Sequence, residues 1–206
     1  MLDRFKHFWQ SVMLAPFINL FIRLGISPDA VTLVGTAGVT AGALVFFPQG
    51  MLLVGVLVIT VFVFSDLIDG AMARKTGRTS RFGAFFDSTL DRIGDGAIFG
   101  GLVLYFAGPG DSYLYLCLTL YCLVMGAVTS YARARAESLG MQARGGIAER
   151  ADRIVAILVM TGLGALFDLP ILMFVTIWAL SIANTVTVIQ RILMVRKQAI
   201  ADAGPN

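Results

Sequence analysis

"AVTLVGTAGVTAGALVFFPQGMLLVGVLVITVFVFS", residues 30–65, runs for 36 positions without a charged side chain. A helix needs about 20 mostly apolar residues to cross the hydrocarbon of a bilayer, so the run is long enough for two spans, broken at "FFPQGM" (46–51). Further charge-free runs follow at 96–110, 112–132, 154–167 and 169–190. With 57% hydrophobic and 14% charged residues among 206, the chain lacks the polar surface that a soluble globule of this size requires. It reads as an all-α integral membrane protein with helices over 31–47, 52–73, 83–107, 112–135, 150–167 and 170–194.

Six spans place both termini on one side, and the basic residues say which. All 16 lysines and arginines fall before the first span, after the last, or at the turns and helix ends of one face, whereas "FFPQGM", "FAGPGDSY" and "FDLP" on the other face contain none. Short cytoplasmic loops collect positive charge, so both termini are expected in the cytoplasm and the chain in the cell membrane. The net charge of +3 then belongs to an inner-leaflet anchor. No basic stripe interleaved with aromatics suggests nucleic acid as a partner.

Residues 1–14 do not read as a removable signal peptide. Leu2, Phe5, Phe8, Trp9, Val12 and Met13 recur at helical spacing with polar residues between them, the pattern of an amphipathic helix lying in the interface. One domain over 1–206 accounts for the chain, with an interfacial helix at 1–24, a six-helix bundle at 25–197 and a polar tail at 198–206. His7 is the only histidine and sits on the polar face of the first segment, which argues against a histidine-based triad. Cys117 and Cys122 lie five apart inside a span, without the spacing of a zinc pair or a redox motif.

The apolar run ends on "SDLIDGAMARKTGRTSRFGAFFDSTLDRIGDG", residues 65–96, which carries five aspartates. Asp66 and Asp69 stand three apart at the end of the second span, and Asp87 and Asp91 stand four apart at the start of the third. Both spacings put a pair on one helix face, and the short basic loop between the helices lets the two faces converge. Four such carboxylates repel one another, and ionised groups inside a bundle are costly unless paired or metal-bound. Oxygen-only ligation without histidine or cysteine favours Mg²⁺ or Mn²⁺ over zinc or copper, and four carboxylates suffice for two ions. Gly70 and Ala73 clear space against the helix, although tight helix packing would also explain them. Arg74, Lys75, Arg78 and Arg81 add positive charge beside the acids, and magnesium with arginine suggests a phosphate ligand.

Residues 66–91 match without a gap the signature D-x2-D-G-x2-A-R-x8-G-x3-D-x3-D, and the chain thereby resembles the CDP-alcohol phosphotransferase family. The resemblance implies an enzyme that transfers the phosphatidyl group of CDP-diacylglycerol, or a related phosphoalcohol, to an alcohol with release of CMP. By it, Asp66, Asp69, Asp87 and Asp91 would hold two Mg²⁺ ions, for which Mn²⁺ could substitute, and Asp91 would also be the general base. Gly70, Ala73, Arg74 and Ser80 would contact the nucleotide and pyrophosphate. The "GISPDAVT" turn (25–32) would bring Asp29, Ala30, Val31 and Thr32 beside the cytidine, while Ser27 also fits a helix cap with Pro28 at the first position. A homodimer is part of the same implication. Asp95 falls outside the signature and is read as a structural or supporting residue.

Further arginines, in "SYARARAESLG", "ERADR" and "QRI", lie at cytoplasmic helix ends. Each fits an anchor that snorkels to the interface. Together they also fit an acceptor that itself carries phosphate, since arginine grips phosphate with a planar fork. Within the family the arrangement looks most like the phosphatidylinositol phosphate synthases, which implies inositol phosphate as acceptor and a place in phospholipid biosynthesis. Ser130, Arg133, Arg135, Arg153 and Arg191 would then surround the acceptor phosphate. Glycerol 3-phosphate, giving phosphatidylglycerophosphate, is the competing acceptor. A divalent-cation transporter is the alternative of another class, but its carboxylates should be spread through the membrane depth rather than gathered at one end.

Overall fold

The computed structural model describes residues 15–77 and 80–202, with the backbone alone at Phe17, Asp66 and Leu67. Among the described residues every regular element is helical: α1 (Ala15–Arg23), α2 (Pro28–Ala41), α3 (Leu52–Val63), α4 (Ser65–Thr76), α5 (Arg81–Ala107), α6 (Tyr113–Ser138), α7 (Arg150–Leu166) and α8 (Ile171–Asp202). The amphipathic segment expected at 1–14 lies outside the described residues, as do Arg78 and Thr79.

The helix limits follow local chemistry. Ser27 caps α2 by accepting from the Ala30 N–H at 3.2 Å, with Pro28 inside the first turn. Ser80 caps α5 in the same way, accepting from the Gly83 N–H at 2.8 Å. After Ala41 the first span widens into a π-turn (Gly42–Phe46) and tightens into a 3₁₀ turn (Phe47–Gln49), where Pro48 and the left-handed Gly50 end it. The expected second span is two helices, because Phe64 (φ −65°, ψ −16°) interrupts the ladder between α3 and α4. The Ser65 hydroxyl donates to the Phe62 carbonyl there at 2.6 Å, drawing the polar side chain onto the freed backbone. α8 runs on to Asp202, through part of the segment expected as a tail.

Among the described residues four segments are long and apolar enough to cross a membrane: Pro28–Gln49, Leu52–Thr76, Tyr113–Ser138 and Ile171–Asp202. The chain is an all-α membrane protein. α5 is long enough but carries Arg81, Asp87, Asp91, Arg92 and Asp95 in its first 15 residues, and α7 has only 17 residues.

α6 packs on α5 and α8, α2 on α5, α4 and α3, and α7 on α8 and α3. The core centres on Phe47, Ile59, Ile98, Leu102, Phe106, Ile157 and Ile177, all fully buried. In lipid, exclusion of water does not drive helices together, so close backbone approach and dispersion must. Gly35 illustrates this: a Cβ there would fall 1.8 Å from Ser65 Oγ and 2.8 Å from Ser65 Cβ, so only glycine lets α2 cross α4 at this distance. At one end of the bundle a second cluster of Ile18, Val31 and Met72 seats α1 on α2 and α4, and Lys75 donates to Asn19 across the same contact. The first turn of α2, α4, the start of α5 and the start of α7 thereby meet at one end of the bundle.

Candidate active site

α5 builds the site by turning three of its faces to three cavities. Gly83, Ala84 and Asp87 line a cavity of about 390 Å³ whose other walls are Pro28, Asp29 and Thr32 from α2, Asp69, Gly70, Ala73 and Arg74 from α4, and Ser80. Ser88, Thr89, Arg92 and Asp95 line a second, of about 460 Å³, closed by Gly126 and Ser130 of α6 and Arg153 of α7. Leu90, Asp91 and Gly94 line a third, of about 250 Å³, with Thr36 of α2 and Arg150 of α7.

The first cavity gathers most of the residues expected at the donor nucleotide: Asp29, Thr32, Gly70, Ala73, Arg74 and Ser80 all reach its wall. Asp69, only 6% exposed, accepts a 2.6 Å hydrogen bond on Oδ2 from the Thr32 hydroxyl, so two helices hold that carboxylate. Gly70 leaves the Arg74 guanidinium room to fold back along α4, where a Cβ would meet Nη1 at 3.4 Å. Ala30 and Val31 are not brought to this wall. Positions 28, 29 and 32 share one helix face, which turns Ala30 outward and Val31 into the cluster with Ile18 and Met72.

Asp87 faces the same cavity as Asp69, while Asp91, one turn further, faces the third. Among the described residues no three Asp, Glu, His or Cys side chains form a metal-sized group. The side chain of Asp66 lies outside the described residues. What is present fits a hard divalent cation in donor type: carboxylates from two facing helices, Asp69 and Asp87, share one cavity with no soft ligand on its wall.

The expected acceptor residues divide. Ser130 and Arg153 line the second cavity, and Arg153 is 3% exposed, its guanidinium lying against Gly126 and donating to the Ala148 carbonyl at 3.3 Å. Arg191 is 4% exposed and donates to the Thr129 carbonyl at 2.6 Å and the Gly145 carbonyl at 3.2 Å, tying α8 to α6 and to the loop before α7. Arg133 pairs with Glu137 at 3.0 Å and Arg135 donates to the Ser138 hydroxyl at 3.3 Å, both on exposed helix surface. Arg92 and Arg150 were not among the residues expected at the site, although Arg150 shares a helix face with Arg153 and belongs to the arginines grouped at the helix ends.

Residues 25–189 match the family model of the CDP-alcohol phosphatidyltransferases, which is most of the chain. The chain belongs to this family. Within it, the chain is 50% identical to a phosphatidylinositol phosphate synthase of Streptomyces avermitilis, over 99% of this chain and 86% of that protein. It is 46% identical to the enzyme of that name from Cutibacterium acnes, over 96% of this chain and 98% of that one. The fold superposes on a crystal structure of Mycobacterium tuberculosis phosphatidylinositol phosphate synthase with CDP-DAG bound, with a TM-score of 0.85 and 40% identity over 88% of this chain and 92% of the other. A structure of that enzyme with manganese and citrate gives a TM-score of 0.82 at 39% identity, covering 88% of each chain. Family membership gives the three-cavity end of the bundle its chemical frame, in which the aspartate signature spans α4 and α5 and the basic residues stand beyond it.

Proposed function

We propose that this protein transfers the phosphatidyl group of CDP-diacylglycerol to inositol phosphate, giving phosphatidylinositol phosphate and CMP. One observation carries the reading: Asp69, Gly70, Ala73 and Arg74 of α4 and Gly83 and Asp87 of α5, all of the signature, meet α2 around one cavity, and α5 turns its next face to a second cavity walled by Ser130 and buried Arg153. The names of the relatives at 46–50% identity support the choice of acceptor.

The donor's nucleotide and pyrophosphate occupy the first cavity. Asp29 and Thr32 border the cytidine, Gly70 and Ala73 let it lie against α4, and Arg74 with Ser80 contacts phosphate oxygens. Asp66, Asp69, Asp87 and Asp91 would hold two divalent ions, Mg²⁺ with Mn²⁺ as substitute, whose charge neutralises the pyrophosphate. The acceptor's phosphate enters beside Arg153 and Ser130, where a buried guanidinium favours a dianion over a neutral alcohol. Asp91 takes the proton of the attacking hydroxyl. The new bond forms between that oxygen and the phosphatidyl phosphorus, and the bond from this phosphorus to the bridging oxygen breaks, the electron pair leaving with CMP. Arg191, with two carbonyls as partners, keeps the acceptor wall rigid, while Arg133 and Arg135 add positive field at the entrance.

In this reading the bundle has six spans, with α5 and α7 crossing alongside the four more apolar segments. Both termini and the site face the cytoplasm in this reading, which the distribution of arginine and lysine supports. The protein works in the cell membrane as a homodimer, as its family resemblance implies. Mass spectrometry of the lipid made from CDP-diacylglycerol, inositol phosphate and Mg²⁺ tests the assignment. An inositol phospholipid bearing a monoester phosphate is expected, and its absence in a protein that turns over another acceptor refutes the acceptor.

A further inference from the structure

Asp95 stands outside the aspartate signature, yet two arginines engage it. Its two oxygens accept from Arg150 Nε at 3.0 and 3.1 Å, while Nη2 of the same guanidinium lies 3.0 Å from Asp91 Oδ1. Arg92 flanks both carboxylates, its Nη2 3.5 Å from Asp95 Oδ2 and 3.7 Å from Asp91 Oδ2. Asp91 and Asp95 are one turn apart on α5, so a single fork from another helix grips both.

The base of that fork is itself fixed. Arg150 is the first residue of α7, and a capping box secures the turn: Glu149 accepts from the Asp152 N–H, and Asp152 accepts from the Glu149 N–H at 3.1 Å. α5 and α7 are not among the closely packed helix pairs; the third cavity lies between their ends, with Asp91, Gly94, Arg150 and Ile154 on its wall. The Arg150 side chain therefore spans a gap that backbone packing leaves open. A pair whose only task was to join helices would not need to engage the signature carboxylate as well.

We propose that Arg150, anchored on Asp95, is a positioning residue for Asp91. The inference rests on the role given to Asp91 in the reading above. Asp95 orients the guanidinium, the guanidinium engages one Asp91 oxygen, and the carboxylate keeps one orientation on the wall of the third cavity. Charge-assisted bonds of this kind are short and directional, and a planar fork loses less freedom in making them than an ammonium would.

The test uses the full chain purified into lipid nanodiscs, with kcat and both KM values measured for wild type, Arg150→Ala, Arg150→Lys, Asp95→Asn and the Arg150→Ala/Asp95→Asn double variant. Loss of an outer partner of a functional ligand costs about 10- to 100-fold, so Arg150→Ala and Asp95→Asn should each lower kcat by that factor with both KM values within about threefold. The double variant should be no slower than Arg150→Ala, and Arg150→Lys should recover part of kcat. Melting in EDTA gives a readout free of turnover: both single variants should melt lower, and the double variant by less than the sum. A kcat for Arg150→Ala within about twofold of wild type overturns the proposal. So does multiplicative loss in the double variant, or a rise confined to the acceptor KM. If Arg150→Ala does not fold, Arg150→Lys and Asp95→Asn carry the same comparison. If wild type makes no inositol phospholipid, the functional reading fails, and the EDTA melting cycle alone still decides whether Arg150 and Asp95 act as a unit.

Discussion

Thr32 Oγ1 lies 2.6 Å from Asp69 Oδ2 and 3.1 Å from the Pro28 carbonyl oxygen. A hydroxyl has one proton, and the short, charge-assisted contact claims it, so the first turn of α2 is fastened to the signature helix α4. Thr32→Val keeps the shape and removes the donor. Leaving a buried carboxylate short of one partner costs about 1–3 kcal/mol. The variant should melt lower and turn over roughly tenfold more slowly, with Thr32→Ser close to wild type. Equal activity and melting of the valine variant would show that the bond has no bearing on the site.

Asp91→Asn separates binding from chemistry. The amide retains the size of the carboxylate and an oxygen for Arg150, but it cannot accept the hydroxyl proton. General base catalysis contributes about 10²–10⁴-fold, so turnover should fall by at least that order. Calorimetric titration with CMP should give an affinity close to wild type. Turnover within a few-fold of wild type would remove Asp91 from the base role.

Arg153→Ala tests the acceptor cavity. Hydrogen bonds to charged groups contribute about 1.5–3 kcal/mol, so KM for inositol phosphate should rise about 10- to 100-fold while KM for CDP-diacylglycerol holds. Steady-state kinetics with the second substrate saturating give the comparison. An unchanged acceptor KM would return Arg153 to a packing role.

Gly35→Ala tests how the fold brings the donor residues together. Its Cβ would overlap Ser65 Oγ at 1.8 Å, forcing α2 away from α4 and Thr32 away from Asp69. Overpacking of this kind costs about 1–3 kcal/mol. A lower melting temperature is expected, together with reduced activity. Ser65→Gly in the same chain should restore both, because it removes the two atoms that the new methyl meets. Failure of that rescue would mean that the crossing distance is set elsewhere.

Much of this arrangement was legible in the sequence because it rests on short-range rules. Charge-free runs placed the start of each expected span to within a few residues, though not the break within the second or the end of α8, and Ser27 with Pro28 announced the start of α2. The spacing of Asp69, Gly70, Ala73 and Arg74 put them on one surface of α4, and they line one cavity. What escaped depends on geometry between distant segments. The break at Phe64 has no glycine or proline to announce it, and its cause is a hydroxyl turning back to its own backbone. Val31 was grouped with its neighbours in the turn, but the face it occupies is decided by Ile18 and Met72. Arg150 and Asp95 are separated by 55 positions, and nothing in either local sequence names the other. Arg191 looked available to a phosphate, whereas carbonyls from two other segments engage it.

The central claim is the transfer itself and the acceptor it uses. The most direct measurement is CMP released from CDP-diacylglycerol by the purified chain in Mg²⁺, run in parallel with inositol phosphate, glycerol 3-phosphate, free inositol and serine, and repeated in EDTA. The account predicts rapid release with inositol phosphate and release slower by roughly tenfold or more with free inositol and serine, because a site built around a buried guanidinium rejects analogues that leave it unpaired. Glycerol 3-phosphate offers the phosphate without the inositol ring and should also be slower than inositol phosphate. Release should stop in EDTA. Activity with glycerol 3-phosphate alone would contradict the acceptor, and CMP release that persists undiminished in EDTA would contradict the metal-assisted transfer on which the whole site is read.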